Sequence, residues 1–153
     1  MSANPSAQLA EFIARFTPEV AALGTETLEK MRSRLPNAFQ LVYDNYNALV
    51  IGFGPSERPS EAIFSIFVYP RYASLFFLQG AKQSLPDPHK LLRGAGTTVR
   101  HMRLQNAATL EEPAVQKLMA QSLRLASVPL TPTVNGRLII RSVSARQRPR
   151  RPA

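Results

Sequence analysis

The chain has 153 residues, 44% of them apolar, and a formal net charge of +9, a size and composition suited to one globular domain with a core of its own. It has no cysteine, which removes disulfides, thiolate metal sites and thiol nucleophiles together. The charge is lopsided. Fourteen of the nineteen basic residues and three of the ten acids fall in residues 71–153, a net +11, whereas residues 1–70 carry a net −2, so one half of the chain presents an anion-attracting surface.

The start, Met1-Ser2-Ala3-Asn4-Pro5, lacks the charged and apolar regions of a secretory signal. The most apolar stretch, residues 62–78, is interrupted by Ser65, Pro70, Arg71 and Ser74 and falls short of the roughly 20 apolar residues that span a bilayer. The expectation is a cytoplasmic protein with no membrane partner.

Leu9, Phe12, Ile13 and Phe16 have the i, i+3, i+4, i+7 spacing of one helical stripe. Thr17 suits an N-cap, Pro18 the first helical position and Glu19 the positive end of the dipole, which predicts a second helix to about Leu35. Its apolar face is Val20, Leu23, Leu28, Met31 and Leu35, with Gly24 permitting close packing or a bend. From Ala38 the period changes to two, giving strands at about 38–44, 47–54, 61–69 and 73–79. The turns between them are too short for a crossover helix, so an antiparallel meander is expected. The third and fourth strands are apolar on both faces, and their aromatics read as core under helices or a partner subunit.

Asp87-Pro88 reads as a cap opening a short helical turn through Leu92, ended by Gly94. A fifth strand is expected at 98–104, and Thr109-Leu110-Glu111-Glu112 has capping-box spacing ahead of a third long helix through Ala126. Residues 127–136, with Pro129 and Pro132, form a linker; Leu138-Ile139-Ile140 is a candidate final strand, and residues 145–153 are expected to be disordered when unbound. The fold class is therefore α+β: a mainly antiparallel meander packed with two N-terminal helices and one helix after the fifth strand. The domain spans 1–126, the linker 127–136, and a short strand with a basic tail 137–153.

Phe76-Phe77-Leu78-Gln79-Gly80, Leu85-Pro86-Asp87-Pro88-His89-Lys90-Leu91-Leu92-Arg93-Gly94-Ala95-Gly96 and Val99-Arg100-His101-Met102 together resemble the YdhG-like domains of unknown function found in many bacterial proteins. The likeness covers roughly residues 8–126. It implies this order of helices, meander and helix, and, from part of the family, a frataxin-like iron-chaperone role. Thr97 stands where the family pattern often has a Lys after the second glycine, so that residue's role in anion contact does not carry over.

Gly94-Ala95-Gly96-Thr97-Thr98 offers consecutive backbone N–H groups beside Arg93 and Arg100, the makings of an anion nest. The candidate anion-binding residues are Arg93, Gly94, Gly96, Thr97 and Arg100. A helix enters these glycines and a strand leaves them, the reverse of a dinucleotide site, and they suit a helix C-cap and tight turn equally well. Asp87, His89 and His101 are the candidate metal ligands, without diagnostic spacing; Glu19, Glu26 and Glu29 would serve an iron reading, but Lys30, Arg32 and Arg34 follow at once and suit a solvated face with i,i+4 pairing. No Gly-x-Ser-x-Gly elbow occurs. Arg146, Arg148, Arg150 and Arg151 form a tail suited to non-specific nucleic-acid contact or to solubility alone. The expectation is a non-enzymatic module binding a small anion or a partner, without cofactor and open to homo-oligomerisation. The alternatives are a frataxin-like iron-binding protein and a non-specific nucleic-acid-associated basic protein.

Overall fold

The computed structural model describes residues 4–152. Helix α1 (Pro5–Ala14) begins where the Asn4 side chain accepts the Ala7 N–H at 2.8 Å, and α2 (Pro18–Arg34) begins where the Thr17 hydroxyl accepts the Val20 N–H at 3.3 Å. Each cap satisfies a donor that a helix start leaves without an intrahelical partner. Glu19 in the first turn of α2, and Arg32 and Arg34 in its last, complement the helix dipole. Leu9, Phe12, Ile13 and Phe16 are all buried, Phe16 just past the end of its helix.

The strands are β1 (Phe39–Asp44), β2 (Leu49–Gly54), β3 (Phe64–Val68), β4 (Ala73–Phe77), β5 (Arg100–Leu104) and β6 (Leu138–Val143), in the order β5-β4-β3-β2-β1-β6. The first five form the expected antiparallel meander, and the β3–β4 hairpin closes through a Tyr69 N–H to Tyr72 carbonyl bond of 2.8 Å. β6 joins β1 in parallel, so the sheet is mixed. A parallel neighbour needs a long crossover, and α3 (Pro113–Leu125) with the segment after it supplies one. At the end of that segment Gly136 packs so tightly that a Cβ would collide with the Ala38 carbonyl.

Two local expectations are corrected. Residues 87–92 form no helix: the Asp87 carboxylate accepts the Leu91 and Leu92 N–H groups at 2.9 and 2.8 Å, holding an irregular loop in which Lys90 has φ +53°. A side chain satisfying its neighbours' backbone competes with helix formation. The capping box lies earlier, between Asn106 and Thr109, and opens a 3-10 helix (Ala107–Glu111) ahead of α3.

The register separates two sheet faces. Val42, Ile51, Ile66, Leu75 and Met102 lie in one row, and they form one buried cluster with Phe12, Val20, Leu28, Met31, Val115 and Leu118 of the helices. Gly24 of α2 faces Val68 of β3 on this side. The opposite face carries Leu41, Gly52, Ser65, Phe76 and His101 in one row and Tyr43, Val50, Phe67, Ser74 and Arg103 in the next. Leu41, Val50, Gly52, Ser65 and Ser74 on it are buried, with Pro59 and Ala62 lying over part of the face, whereas Phe67, Phe76 and His101 are partly exposed.

The C-terminal segment corrects the expectation of a boundary after residue 126 and a disordered tail. Leu130, Leu138 and Ile140 pack against the core. Arg150 is buried, its side chain 3% exposed against 1% for Asp44, with Nη2 2.8 Å from Asp44 Oδ1. Nη2 also donates to the Asn45 carbonyl at 2.5 Å, and Nη1 to the Tyr46 carbonyl at 3.3 Å. Arg15 approaches the other Asp44 oxygen at 3.4 Å, and Arg151 donates to the Arg15 and Phe16 carbonyls. A buried charge with its partner removed is costly, so Arg150→Ala should lower the unfolding free energy by about 3–5 kcal/mol in urea melts. Arg150→Met with Asp44→Leu should recover most of that loss.

At Gly24 an added Cβ meets the Val68 methyl carbons at 3.7 and 3.9 Å, ordinary contact distances. Gly24→Ala should therefore stabilise the protein by up to about 1 kcal/mol through helix propensity, read as a higher urea midpoint with an unchanged m-value.

Candidate functional site

Of the five anion-binding candidates, Arg93 lines a groove at the edge of β5. Arg100 Nη1 donates to the carbonyls of Gly96 and Val99 at 2.6 and 2.8 Å, so the glycine turn folds its acceptors onto its own guanidinium. A nest must present N–H groups; here carbonyls converge. Gly94 has φ +121°, a conformation that glycine adopts without steric penalty, and it ends no helix. Thr97 is exposed on the same turn.

Arg93 pairs with His101 through two backbone hydrogen bonds, 2.7 and 3.0 Å, adding a short stretch of chain to the outer edge of β5. Beyond that bridge lies an open groove of about 730 Å³. Arg71 reaches it from the β3–β4 hairpin, Lys90 and Arg93 from the Asp87-anchored loop, and Arg103 from β5; Glu112 is the one acid lining it. None of these four cations has a carboxylate within 4.0 Å among the described residues, whereas Arg15, Lys30, Arg58, Arg137 and Arg150 each do. Leu23, Leu91, Met102 and Leu104 also line the groove, lowering the local polarity against which the charges act.

The open sheet face adds an aromatic row. Tyr72 stacks on Tyr69 (ring centroids 4.7 Å apart), Tyr69 lies 6.0 Å from Phe67, Phe67 stacks on Phe76 at 4.0 Å, and Phe76 stacks on His101 at 4.8 Å. The Arg103 guanidinium sits 4.4 Å from the centre of the Tyr72 ring. All five rings are half-buried. The expectation that the aromatics of the third and fourth strands are core therefore holds for Phe64 and Phe77 and fails for Phe67, Tyr69 and Phe76. Alternation along β3, β4 and β5 was the signal that separates them.

Asp87, His89 and His101 do not converge. Asp87 and His89 line a small pocket of about 210 Å³ with Lys117 and Gln121 of α3, while His101 lies in the aromatic row. Glu26 and Glu29 face a shallow groove with Lys30 and Arg34, where Lys30 pairs with Glu111 at 2.6 Å; Glu19 lies apart in the first turn of α2. Among the described residues no group of three or more His, Cys, Asp or Glu side chains could hold a metal ion, and no helix is long and apolar enough to cross a membrane. Of the four tail arginines, Arg150 is buried and Arg151 donates to backbone carbonyls, Arg148 lies 5.8 Å from the Tyr46 ring, and Arg146 is exposed. The tail is anchored, which corrects its reading as a mobile polycation.

Burial, and secondarily the neighbouring Tyr72, raises the Tyr69 phenol above its ordinary value of 10.0. The folded state thus favours the neutral phenol, a stabilisation present below the unfolded pKa and lost as pH rises through the folded one. The difference between alkaline absorbance titrations of the wild type and Tyr69→Phe should show a midpoint above 10.0.

Comparison with protein-family models, with curated proteins and with solved structures found no match to this chain.

Proposed function

We propose that this chain is a non-enzymatic module that binds phosphate-bearing anions in the groove at the β5 edge. The observation that carries this reading is the convergence of Arg71, Lys90, Arg93 and Arg103, free of carboxylate partners among the described residues, on one concave surface. Guanidinium groups keep their charge across the accessible pH range and match phosphate oxygens with paired N–H donors. The loop that carries Lys90 and Arg93 is tethered by Asp87, so an anion meets a partly preorganised set of donors and loses less affinity to ordering. The reading keeps the cytoplasmic setting expected from the sequence. It differs from the iron-chaperone role that part of the YdhG-like family suggests, for which the candidate ligands Asp87, His89 and His101 do not converge.

The test is thermal unfolding with increasing inorganic pyrophosphate. A ligand that binds only the folded state raises the melting temperature by mass action. Pyrophosphate should raise it in the wild type, and the rise should shrink with added salt as the charges are screened. Arg93→Ala combined with Arg71→Ala should remove the shift, while Arg100→Ala should keep it. A shift lost in Arg100→Ala and intact in the double variant would return the site to the glycine turn.

A further inference from the structure

We infer that the groove and the aromatic row together form a binding track for single-stranded nucleic acid, a conclusion that rests on the anion site proposed above and names its macromolecular ligand. The row begins and ends beside groove cations. At one end Arg103 covers the Tyr72 ring; at the other, His101 is bridged to Arg93 through the backbone. A polyanion lying along Arg71, Lys90, Arg93 and Arg103 therefore passes both ends of a stack of five rings, each only partly exposed to solvent.

Aromatic side chains beside a basic groove are the two elements that hold an unpaired strand: the cations follow the phosphates while the rings accept bases on their π-faces. The rings here stand against one another and the Arg103 guanidinium already lies over Tyr72, so a base adds at the ends of this longer stack: against His101 at one end, and at the other against the Arg103 guanidinium, which itself stacks on planar rings. The charge is complementary on a larger scale too, because residues 71–153 carry a net +11. A duplex keeps its bases paired and stacked internally, so it would engage only the cations.

Fluorescence anisotropy with labelled oligouridylate, oligodeoxythymidylate and a duplex of equal length tests the inference on the full chain. Both single strands should bind more tightly than the duplex, and the salt slope of log K should fall by about 0.7 for each groove cation replaced by Ala. His101→Ala and Phe76→Leu lie outside the groove lining. His101→Ala should weaken single-strand binding roughly 5- to 150-fold, the equivalent of one lost stacked base; Phe76→Leu should weaken it by removing the ring on which His101 stacks; and both should leave the pyrophosphate melting shift unchanged. Arg93→Ala with Arg71→Ala should reduce both signals. Melting temperatures of the variants without ligand identify any that fail to fold, and Tyr72→Leu, at the opposite end of the row, gives an independent measure of stacking. Three results would overturn the inference while leaving the anion site standing: equal affinity for single strand and duplex, single-strand binding unchanged in His101→Ala, Phe76→Leu and Tyr72→Leu, or a dimer by light scattering that Phe76→Leu converts to monomer, which would make this face a contact between two copies of the chain.

Discussion

Three helices cover one face of a six-stranded sheet, and this one-sided coverage is the constraint on which the rest of the structure depends. The helices supply Phe12, Val20, Leu28, Met31, Val115 and Leu118 to a single buried cluster with the inward residues of β1 to β5. Burial of that apolar area is the main favourable term in folding. Among the described residues no helix lies over the other face; the segment around Pro59 and Ala62 lies over part of it, and the aromatic side chains of β3 to β5 stay partly exposed and gain shelter by stacking on each other. Such pairs contribute about 0.5–1.5 kcal/mol each beyond burial.

The far edge of the sheet depends on a second, electrostatic element. β6 pairs with β1 in parallel, and the chain beyond it returns across the β1–β2 turn to bring Arg150 against Asp44. The carboxylate also draws in Arg15 from just beyond α1. One acid thus ties together the start of the chain, the first hairpin and the final segment. The desolvation cost of such a pair is offset only because the guanidinium also donates to two backbone carbonyls. Its Nε has no acceptor, so the compensation is incomplete. Two of the arginines that make the sequence look like a polycationic tail are consequently engaged with the folded domain.

Basic charge is then available for ligands at the opposite edge, around β5. The glycine turn there is closed by Arg100, which neutralises converging carbonyls; the neighbouring loop is held by Asp87, which accepts two N–H groups. Both charged side chains are engaged with backbone, Arg100 with two carbonyls of the turn and Asp87 with two N–H groups of the loop. Arg93, Lys90, Arg71 and Arg103 belong to the same edge without such commitments to carboxylates among the described residues. Local sequence proximity to glycines is a poor guide here, because an arginine beside a turn can serve as its internal cap as readily as its ligand contact.

The helical stripe of Leu9 to Phe16, the helix start at Thr17-Pro18, the meander and the α+β class are determined by the sequence itself, since caps, prolines and hydrophobic period act over a few neighbouring residues. The lopsided charge is equally legible, being a sum over composition. The parallel placement of β6 and the burial of Arg150 were decided by tertiary contacts between residues far apart in the chain, such as Asp44 with Arg150, whereas the absence of a helix at 87–92 follows from the local bonds of the Asp87 carboxylate to the Leu91 and Leu92 N–H groups. The aromatic row falls between these cases. Alternation in β3 assigns Phe67 and Tyr69 to one face and Phe64, Ile66 and Val68 to the other, but which face the helices would cover, and whether anything would cover its opposite, depends on packing across the whole sheet. The groove is the furthest from the sequence. Arg71, Lys90, Arg93 and Arg103 lie on a hairpin, a loop and a strand, and only the pairing of β3, β4 and β5 brings their charges onto one surface.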